Sequence, residues 1–262
     1  MEKNWVSRAP GFLDRLEGSF HGAAYTPHRH DTYAVGVTLH GIQTFDYRGA
    51  TMHSQPGQMV ILHPDELHDG RAGTNEGFRY KTLYIRPSAI QGVLRGQALP
   101  FIKGGVSFDT RLWAILTPLL CDFETPLSNL QCQDAIYDLA TTLSTLSGQH
   151  STKQIFNYKA AEIARRYIDE TLDDDLTLDD LEHVSRQDRW QLSRDFRAAF
   201  GTSPYRYKTL RRLEQARSML LSGDTLARTA VNCGFSDQSH SGRQFKKTYG
   251  MTPKTWLTSV RN

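Results

Sequence analysis

Arg194-Asp-Phe196-Arg-Ala-Ala-Phe200-Gly201-Thr-Ser-Pro204-Tyr-Arg-Tyr207 is followed, 49 residues on, by Arg243-Gln-Phe245-Lys-Lys-Thr-Tyr249-Gly250-Met-Thr-Pro253-Lys-Thr-Trp256. The two stretches share R-x-F-x-x-x-aromatic-G-x-(S/T)-P-x-x-aromatic without a gap. A match at a fixed offset means one supersecondary unit built twice. Each copy reads as a helix and its stop. Gly201 and Gly250 stand where a helix C-terminus takes positive φ. Pro204 and Pro253, three residues later, bar continuation. In the first copy Leu192, Phe196, Ala199 and Phe200 fall on one buried stripe. Trp190, Ser193, Arg194 and Arg197 fall on the other side, and Ser239, Gly242, Arg243 and Lys246 form the matching face of the second copy.

Working outward, each of these helices has a shorter one before it. The segment 176–184 is the first, with Asp or Thr near its start as a cap. The segment 225–233 is the second, and it leads into Gly234-Phe235. Helix, short turn and helix with an outer basic face is the helix-turn-helix pattern. It occurs twice, joined by a helical segment over 205–221. Arg side chains and small polar residues on such a face suit a DNA major groove.

Region 178–256 resembles the DNA-binding domain of the AraC/XylS family of transcription regulators. The resemblance rests on Leu181, Leu192, Arg194, Phe196, Gly201, Pro204, Tyr207, Arg211-Arg212-Leu213, Ala216, Leu220, Ala230, Gly234 through His240, Arg243, Phe245-Lys246-Lys247, Gly250, Pro253 and Trp256. It implies that both recognition helices enter successive major-groove segments on one face of duplex DNA. Trp190, Gln191, Ser193 and Arg194 are the expected readers of the first helix. Gln238, Ser239, His240, Gly242 and Arg243 are those of the second, with Gly242 supplying close approach. Arg197, Lys246, Lys247, Arg211 and Arg212 are expected to meet phosphate or acidic partners. The chain departs from the family at Glu182, where Ala is usual, at Thr229, where a β-branched aliphatic is usual, and at Ser241, where an aromatic or Leu is usual. Ser241 is expected to loosen the second recognition helix.

Charge agrees with this placement. The net charge of +3 hides a split: residues 1–150 carry 12 Lys+Arg against 14 Asp+Glu, and residues 186–261 carry 15 against 5. The basic excess lies with the helix-turn-helix signals, as a phosphate-binding surface requires. The acidic residues between 169 and 182 read as a solvated loop and cap, or as a face that repels DNA.

Residues 20–110 alternate at short range, over 33–39, 43–47, 58–62 and 78–85. Turn signals at His40-Gly41, Arg48-Gly49, Pro56-Gly57, Pro64-Asp65 and 73–77 separate these runs. Regular short strands suggest a sandwich or barrel. The segment resembles the cupin-like sensor half common in the AraC family, on His28-Arg-His30, Tyr33, Gly36, Gly41, Gly49, Pro56-Gly57, Pro64 through Gly70 and Tyr80-x-x-Leu-Tyr-Ile85. Seven of the ten histidines lie between His21 and His68. His28, His30 and His68 match the three imidazole positions of metal-binding cupins, and the usual Glu falls near Ala34. They are expected to line an effector pocket together with Tyr33. Zn²⁺ or another divalent metal on the three imidazoles is the alternative. Tyr33, Val35, Val37, Phe45, Tyr47, Val60 and Leu62 are candidate walls, with the inward face left open because a one-residue shift inverts it. His28, His30, Arg79 and Lys81 are candidates to meet an anionic ligand.

From Arg111 the period becomes helical, through Leu112, Ile115, Leu116, Leu119, Leu120 and Phe123, then Ile136, Leu139, Ala140, Leu143 and Leu146. Such helices support the β-domain, and the resemblance adds a role in homodimerisation. Residues 147–152 read as a linker, and Ala161, Ile163, Ala164, Tyr167 and Ile168 open the next domain. Cys121, Cys132 and Cys233 are expected to be buried free thiols in a reducing cytoplasm. Neither a signal pattern nor a membrane span is read in the chain.

The expected fold is α+β: a cupin-like β-barrel over 1–110, a helical support and dimerisation segment over 111–152, and an all-α DNA-binding domain with two helix-turn-helix motifs over 153–262. The expected function is a cytoplasmic, ligand-responsive transcription regulator and not an enzyme. Its expected partners are double-stranded DNA, a small-molecule effector and RNA polymerase. A metal-dependent cupin enzyme fused to a DNA-binding domain, and an architectural DNA binder without effector, are the rival readings.

Overall fold

The computed structural model describes residues 4–9, 11–148 and 156–261. The chain opens with strands β1 (Trp5–Ala9), β2 (Asp14–Phe20), β3 (Ala23–His28), β4 (Tyr33–Gly41), β5 (Gln43–Tyr47), β6 (Ala50–Ser54), β7 (Met59–Leu62), β8 (His68–Ala72) and β9 (Phe78–Ile85). Then come α1 (Pro87–Leu94), the short β10 (Val106–Ser107), α2 (Thr110–Leu120) and α3 (Asn129–Leu146). The second half is helical: α4 (Tyr158–Glu170), α5 (Leu178–Ser185), α6 (Arg189–Phe200), α7 (Pro204–Leu221), α8 (Leu226–Asn232), α9 (Gln238–Tyr249) and α10 (Pro253–Arg261). Among the described residues no helix is long and apolar enough to cross a membrane.

The strands form two antiparallel sheets, ordered β1-β2-β9-β4-β7-β10 and β3-β8-β5-β6. The hairpin β5–β6 turns on Arg48 and Gly49, both at positive φ (52° and 80°), as a two-residue connection between twisted strands requires. The larger sheet is covered on both faces. Tyr33, Val35, Leu83 and Ile85 point outward and share a core with Leu112, Leu116 and Leu119 of α2 and Ile136, Leu139 and Leu143 of α3. The helices expected as a support segment therefore belong to the same core as the sheet. The inward face carries Ala34, Val60 and Leu62 in one cluster and Leu16, Phe20 and Tyr80 in another.

This answers the question of which strand face looks in, and it moves one expected pocket residue. Tyr33 is fully buried against the helices, where its hydroxyl donates to Pro100 O at 2.8 Å. It is a core residue and not part of the effector pocket. Phe45 and Tyr47 pack with Val60 and Leu62 inside the sandwich. Cys132 and Cys233 are buried as expected, but Cys121 is exposed at the end of α2. Most of the expected linker over 147–152 lies outside the described residues.

The second half has two cores, one per copy of the repeat. Ala160, Ala164, Ile168, Leu181, Leu192, Phe196, Phe200 and Tyr207 make the first. Leu213, Ala216, Leu220, Ala230, Phe235, Phe245 and Trp256 make the second. Helix α7 spans both, with Tyr207 near its start in one core and Leu213 to Leu220 in the other. Burial of these stripes, more than intrinsic propensity, holds such short helices.

Candidate functional site

The two recognition helices are α6 and α9, and the sequence sets both ends of each. Asp188 caps α6 by accepting from the N–H groups of Trp190 (3.1 Å) and Gln191 (3.0 Å). Asp237 caps α9 by accepting from His240 N–H at 2.7 Å, a bond that holds its carboxyl below the usual range. Carboxylates here satisfy orphan donors and complement the helix dipole. At the other ends Gly201 (φ 73°) and Gly250 (φ 70°) are left-handed, and their N–H groups return to Arg197 O and Lys246 O. Leu192, Phe196 and Phe245 turn inward, so the opposite faces are free.

On α6 that face carries Trp190, which is 62% exposed, with Arg194 and Arg197 also exposed. Arg194 is braced. Its Nε and Nη2 donate to Gln191 Oε1 (3.2 and 2.6 Å), and Gln191 Nε2 donates to Asp195 Oδ1 at 2.7 Å. Asp195 is buried and also accepts from Gln187 Nε2 at 2.6 Å. Sequence reasoning missed Asp195; an acid four residues after Gln191, among stripe residues, was its signal. Arg197 donates to Ser193 O at 2.8 Å. On α9, Gln238, Ser239, Arg243, Lys246 and Lys247 are exposed, and Gly242 has open space where a Cβ would stand. His240 is partly exposed, with Nδ1 3.1 Å from Ser236 Oγ.

Two expected phosphate contacts lie elsewhere. Arg211 is buried and pairs with Asp31 of the β-domain and with Glu214 (2.5 Å), so of its two expected partners it meets the acidic one. Arg212 donates to the carbonyls of Leu172 (2.7 Å), Gly234 (2.8 Å) and Asp174 (3.2 Å). It ties the acidic loop to α7 and meets neither phosphate nor a carboxylate there. Glu182 is explained locally by its 2.9 Å pair with Arg189. Ser241 and Thr229 are both buried, and the Thr229 hydroxyl has no hydrogen-bond partner among the described residues.

The capping glycines of both recognition helices dock on the β-domain. A Cβ on Gly201 would lie 2.8 Å from Pro64, and one on Gly250 would lie 3.1 Å from Thr26 O and 3.2 Å from the His28 ring. Thr26 Oγ1 donates to Gly250 O at 2.6 Å, and Arg29 N–H to Lys247 O at 3.3 Å. Asp65 accepts from Thr202 Oγ1 at 2.9 Å and pairs with Arg206 at 3.4 Å. Arg86 pairs with Glu214 at 2.5 Å.

Between the sheets lies a cavity of about 180 Å³ whose lining includes Tyr25, His28, His30, Val60, Leu62 and His68 from the β-domain. The helical half completes it with Leu210, Arg217, Tyr249, Met251 and Trp256. The three histidines thus converge as expected, with ring centroids 4.3, 4.8 and 6.2 Å apart. Each is buried, and burial pushes all three down, His30 to about 3. Ala34 lines the cavity at the position of the cupin carboxylate. Among the described residues no group of three or more His, Cys, Asp or Glu is placed to hold a metal ion.

Arg79 and Lys81, expected near an anionic ligand, face elsewhere. Arg79 pairs with Glu17 at 2.5 Å, and Lys81 donates to Leu120 O at 2.7 Å. Four arginines line the cavity, Arg8, Arg86, Arg211 and Arg217; Arg86 and Arg211 pair with Glu214 and Asp31, while the guanidinium groups of Arg8 and Arg217 stand 5.9 and 5.3 Å from the Trp256 ring centroid. Among the described residues, the Nε of Arg8 and that of Arg217 are shut off from solvent without a hydrogen-bond partner. Burial, then repulsion from Arg217, holds the Arg8 pKa below its ordinary value.

Comparison with known proteins agrees with this architecture. Residues 11–140 match the AraC-like ligand binding domain, and residues 184–259 match a helix-turn-helix domain. The chain is 24% identical to the uncharacterized HTH-type transcriptional regulator YbfI of Bacillus subtilis (strain 168), over 81% of this chain and 80% of that one. It is 22% identical to the HTH-type transcriptional activator RhaS of Escherichia coli O81 (strain ED1a), over 88% and 87%. In fold it is similar to ToxT of Vibrio cholerae, with a TM-score of 0.68 at 12% identity over 95% of this chain and 99% of that one. ToxT has also been solved with an unsaturated fatty acid bound, at a TM-score of 0.65 and 14% identity over 99% and 98%. With a ligand-binding domain followed by paired helix-turn-helix units, the chain belongs to the AraC family of DNA-binding transcription regulators.

Proposed function

We propose that this regulator is set by a small organic acid bound between its two halves, and that the acid changes how α6 and α9 are presented to DNA. The observation that carries the reading is the cavity lining. Arg8 comes from β1 and Arg217 from α7, so one anion between them touches both domains. Two like charges close together and partly shut off from water are unfavourable without a counter-charge. Asp14 acts on both, and Tyr249 and Glu214 also act on Arg217, but Glu214 is shared with Arg86 and Arg211. The ToxT structure with a bound fatty acid supports an acid as the ligand class.

On this reading Arg194 and Arg243 read base edges, helped by Trp190, Gln191, Ser193, Gln238, Ser239 and His240. Arg197, Lys246 and Lys247 meet phosphate and fix register. The three cavity imidazoles bind the effector and not a metal, and the protein is a regulator and not an enzyme. A second copy pairs through the outward face of α3, where Leu130 and Tyr137 are exposed, and RNA polymerase is the partner on the promoter in the cytoplasm.

The test is fluorescence anisotropy of the full chain on DNA obtained by in vitro selection, with 3-phenylpropanoate as probe. The probe is expected to shift DNA affinity severalfold, and the shift is expected to vanish in Arg217→Gln. A probe that binds without altering DNA affinity, or a response kept in full by R217Q, sinks the reading.

A further inference from the structure

We infer that the effector is a hydroxy acid, with its carboxylate between Arg8 and Arg217 and its hydroxyl donating to Nε2 of His68, the ring between His28 and His30. The acid end rests on the function proposed above; the hydroxyl end rests on separate observations.

The first is the tautomer. Nδ1 of His28 lies 2.9 Å from Thr26 O, that of His30 lies 2.8 Å from Thr32 O, and that of His68 lies 3.0 Å from Glu66 O. A backbone carbonyl only accepts, so each Nδ1 carries the ring proton. Burial keeps all three rings neutral at physiological pH. Each Nε2 therefore holds a bare lone pair, and the cavity ends in three hydrogen-bond acceptors side by side.

The second is the lack of a resident donor. Among the described residues no side chain donates to any of these Nε2 atoms, and the nearby Tyr25 and Tyr80 hydroxyls bond each other at 2.8 Å. An acceptor that a ligand covers without offering it a donor is costly. The same geometry selects the donor. A metal is disfavoured by the placement of the rings. An ammonium group is disfavoured by Arg29, whose charge already helps to depress His68. A neutral hydroxyl meets neither objection.

The third is size and lining. The space of about 180 Å³ compares with the about 150 Å³ that accommodates benzene in an engineered cavity. It suits one ring with short substituents. Tyr25 and Tyr84 wall the stretch between the two ends: Tyr25 touches His28 and Tyr84 touches His30, each with centroids 5.6 Å apart. Both tyrosines also act electrostatically on Arg8.

The test uses the full chain and four probes by isothermal titration: 3-(4-hydroxyphenyl)propanoate, 3-phenylpropanoate, 3-(4-methoxyphenyl)propanoate and 4-propylphenol. The hydroxy acid is expected to bind at least about tenfold more tightly than the acid without hydroxyl, because only it brings a donor to the imidazole cluster. The methoxy acid, which cannot donate, is expected to bind no better than 3-phenylpropanoate. His68→Leu is expected to erase the preference while keeping acid binding, and the methoxy comparison stands on the unmodified protein if that variant does not fold. Equal binding of all three acids overturns the hydroxyl seat and leaves the acid reading intact. Binding of 4-propylphenol alone removes the acid end, and with it the function proposed above. Zn²⁺ retained in native mass spectra and lost in H68L, or no binding by any hydroxy acid of this size, also overturns the inference.

Discussion

Arg211, in the helix that joins the two helix-turn-helix units, forms an ion pair with Asp31 of the β-domain while also holding Glu214 of its own helix. Arg211 is 8% exposed, so the pair is largely out of water. Among the described residues it is one of three ion pairs between the halves, with Arg206–Asp65 and Arg86–Glu214. Asp31→Asn leaves the guanidinium with Glu214 alone and is expected to cost about 1–3 kcal/mol. Urea melts of D31N, R211M and the double variant measure the coupling. Additive single effects would show that the pair contributes nothing between the domains.

On the function proposed above, Arg194 and Lys247 separate reading from holding. Arg194→Ala is expected to cost ~1–3 kcal/mol at the preferred site and relax one base position. Lys247→Ala is expected to weaken all sequences alike and lower the salt slope by about 1. Gln191→Ala removes the brace on Arg194 and is expected to reproduce part of the first effect. Selection profiles and salt titrations of the three variants decide, and an unchanged R194A profile takes Arg194 off the reading face.

Stability is expected to fall as the medium is acidified. His63 is locked neutral: its Nε2 accepts from Ile102 N–H at 2.9 Å, and its Nδ1 bonds the Tyr47 hydroxyl at 2.6 Å. Burial pushes His63 and His30 down to about 3, and lowers His28 and His68 as well. Below an unfolded pKa of ~6.5 the unfolded chain binds more protons than the folded one. The stability these groups contribute is therefore complete above that pH and lost between it and about 3. Each histidine adds a slope of up to ~1.4 kcal/mol per pH unit. Urea midpoints at pH ~7.5, ~6 and ~5 check this, with His63→Gln expected to flatten the profile. A level profile in the parent protein contradicts it.

Thr229→Val is expected to stabilise the protein. The Thr229 hydroxyl is buried in the second helix-turn-helix core without a partner. An isosteric methyl removes an unmet polar group, worth about 1 kcal/mol or more. Thermal melts of T229V read the effect, and a lower midpoint would point to a hidden partner.

The helical half was legible because its signals are local. Gly201, Pro204 and the Leu192–Phe196–Phe200 stripe fix a helix, its stop and its buried face within a dozen residues. The strands over 33–39 and 78–85 were legible as strands but not as to face. Tyr33 and Ala34 are both buried, on opposite sides of the same sheet, so alternation carries no inside-or-outside signal when helices cover one face and a second sheet the other. The histidine cluster could be found from its spacing. Arg8 and Arg217 could not, since nothing local marks two arginines 209 positions apart as neighbours. Charge counting also placed Arg211 and Arg212 with the exposed basic residues, whereas one is engaged by carboxylates and the other by carbonyls. Composition does not distinguish a buried cation from a solvated one.

Gly242 sits on the free face of α9 with nothing within 4 Å of where a Cβ would stand. Glycine inside a helix is less favourable than alanine by about 1 kcal/mol. Almost any replacement there strengthens the helix and, on the function proposed above, adds a new group toward the bases. Gains in function commonly oppose gains in stability; at this codon the two run together. A single nucleotide change can then redirect the regulator to a different set of promoters without weakening its fold, and a lineage can drift between target genes through this one position.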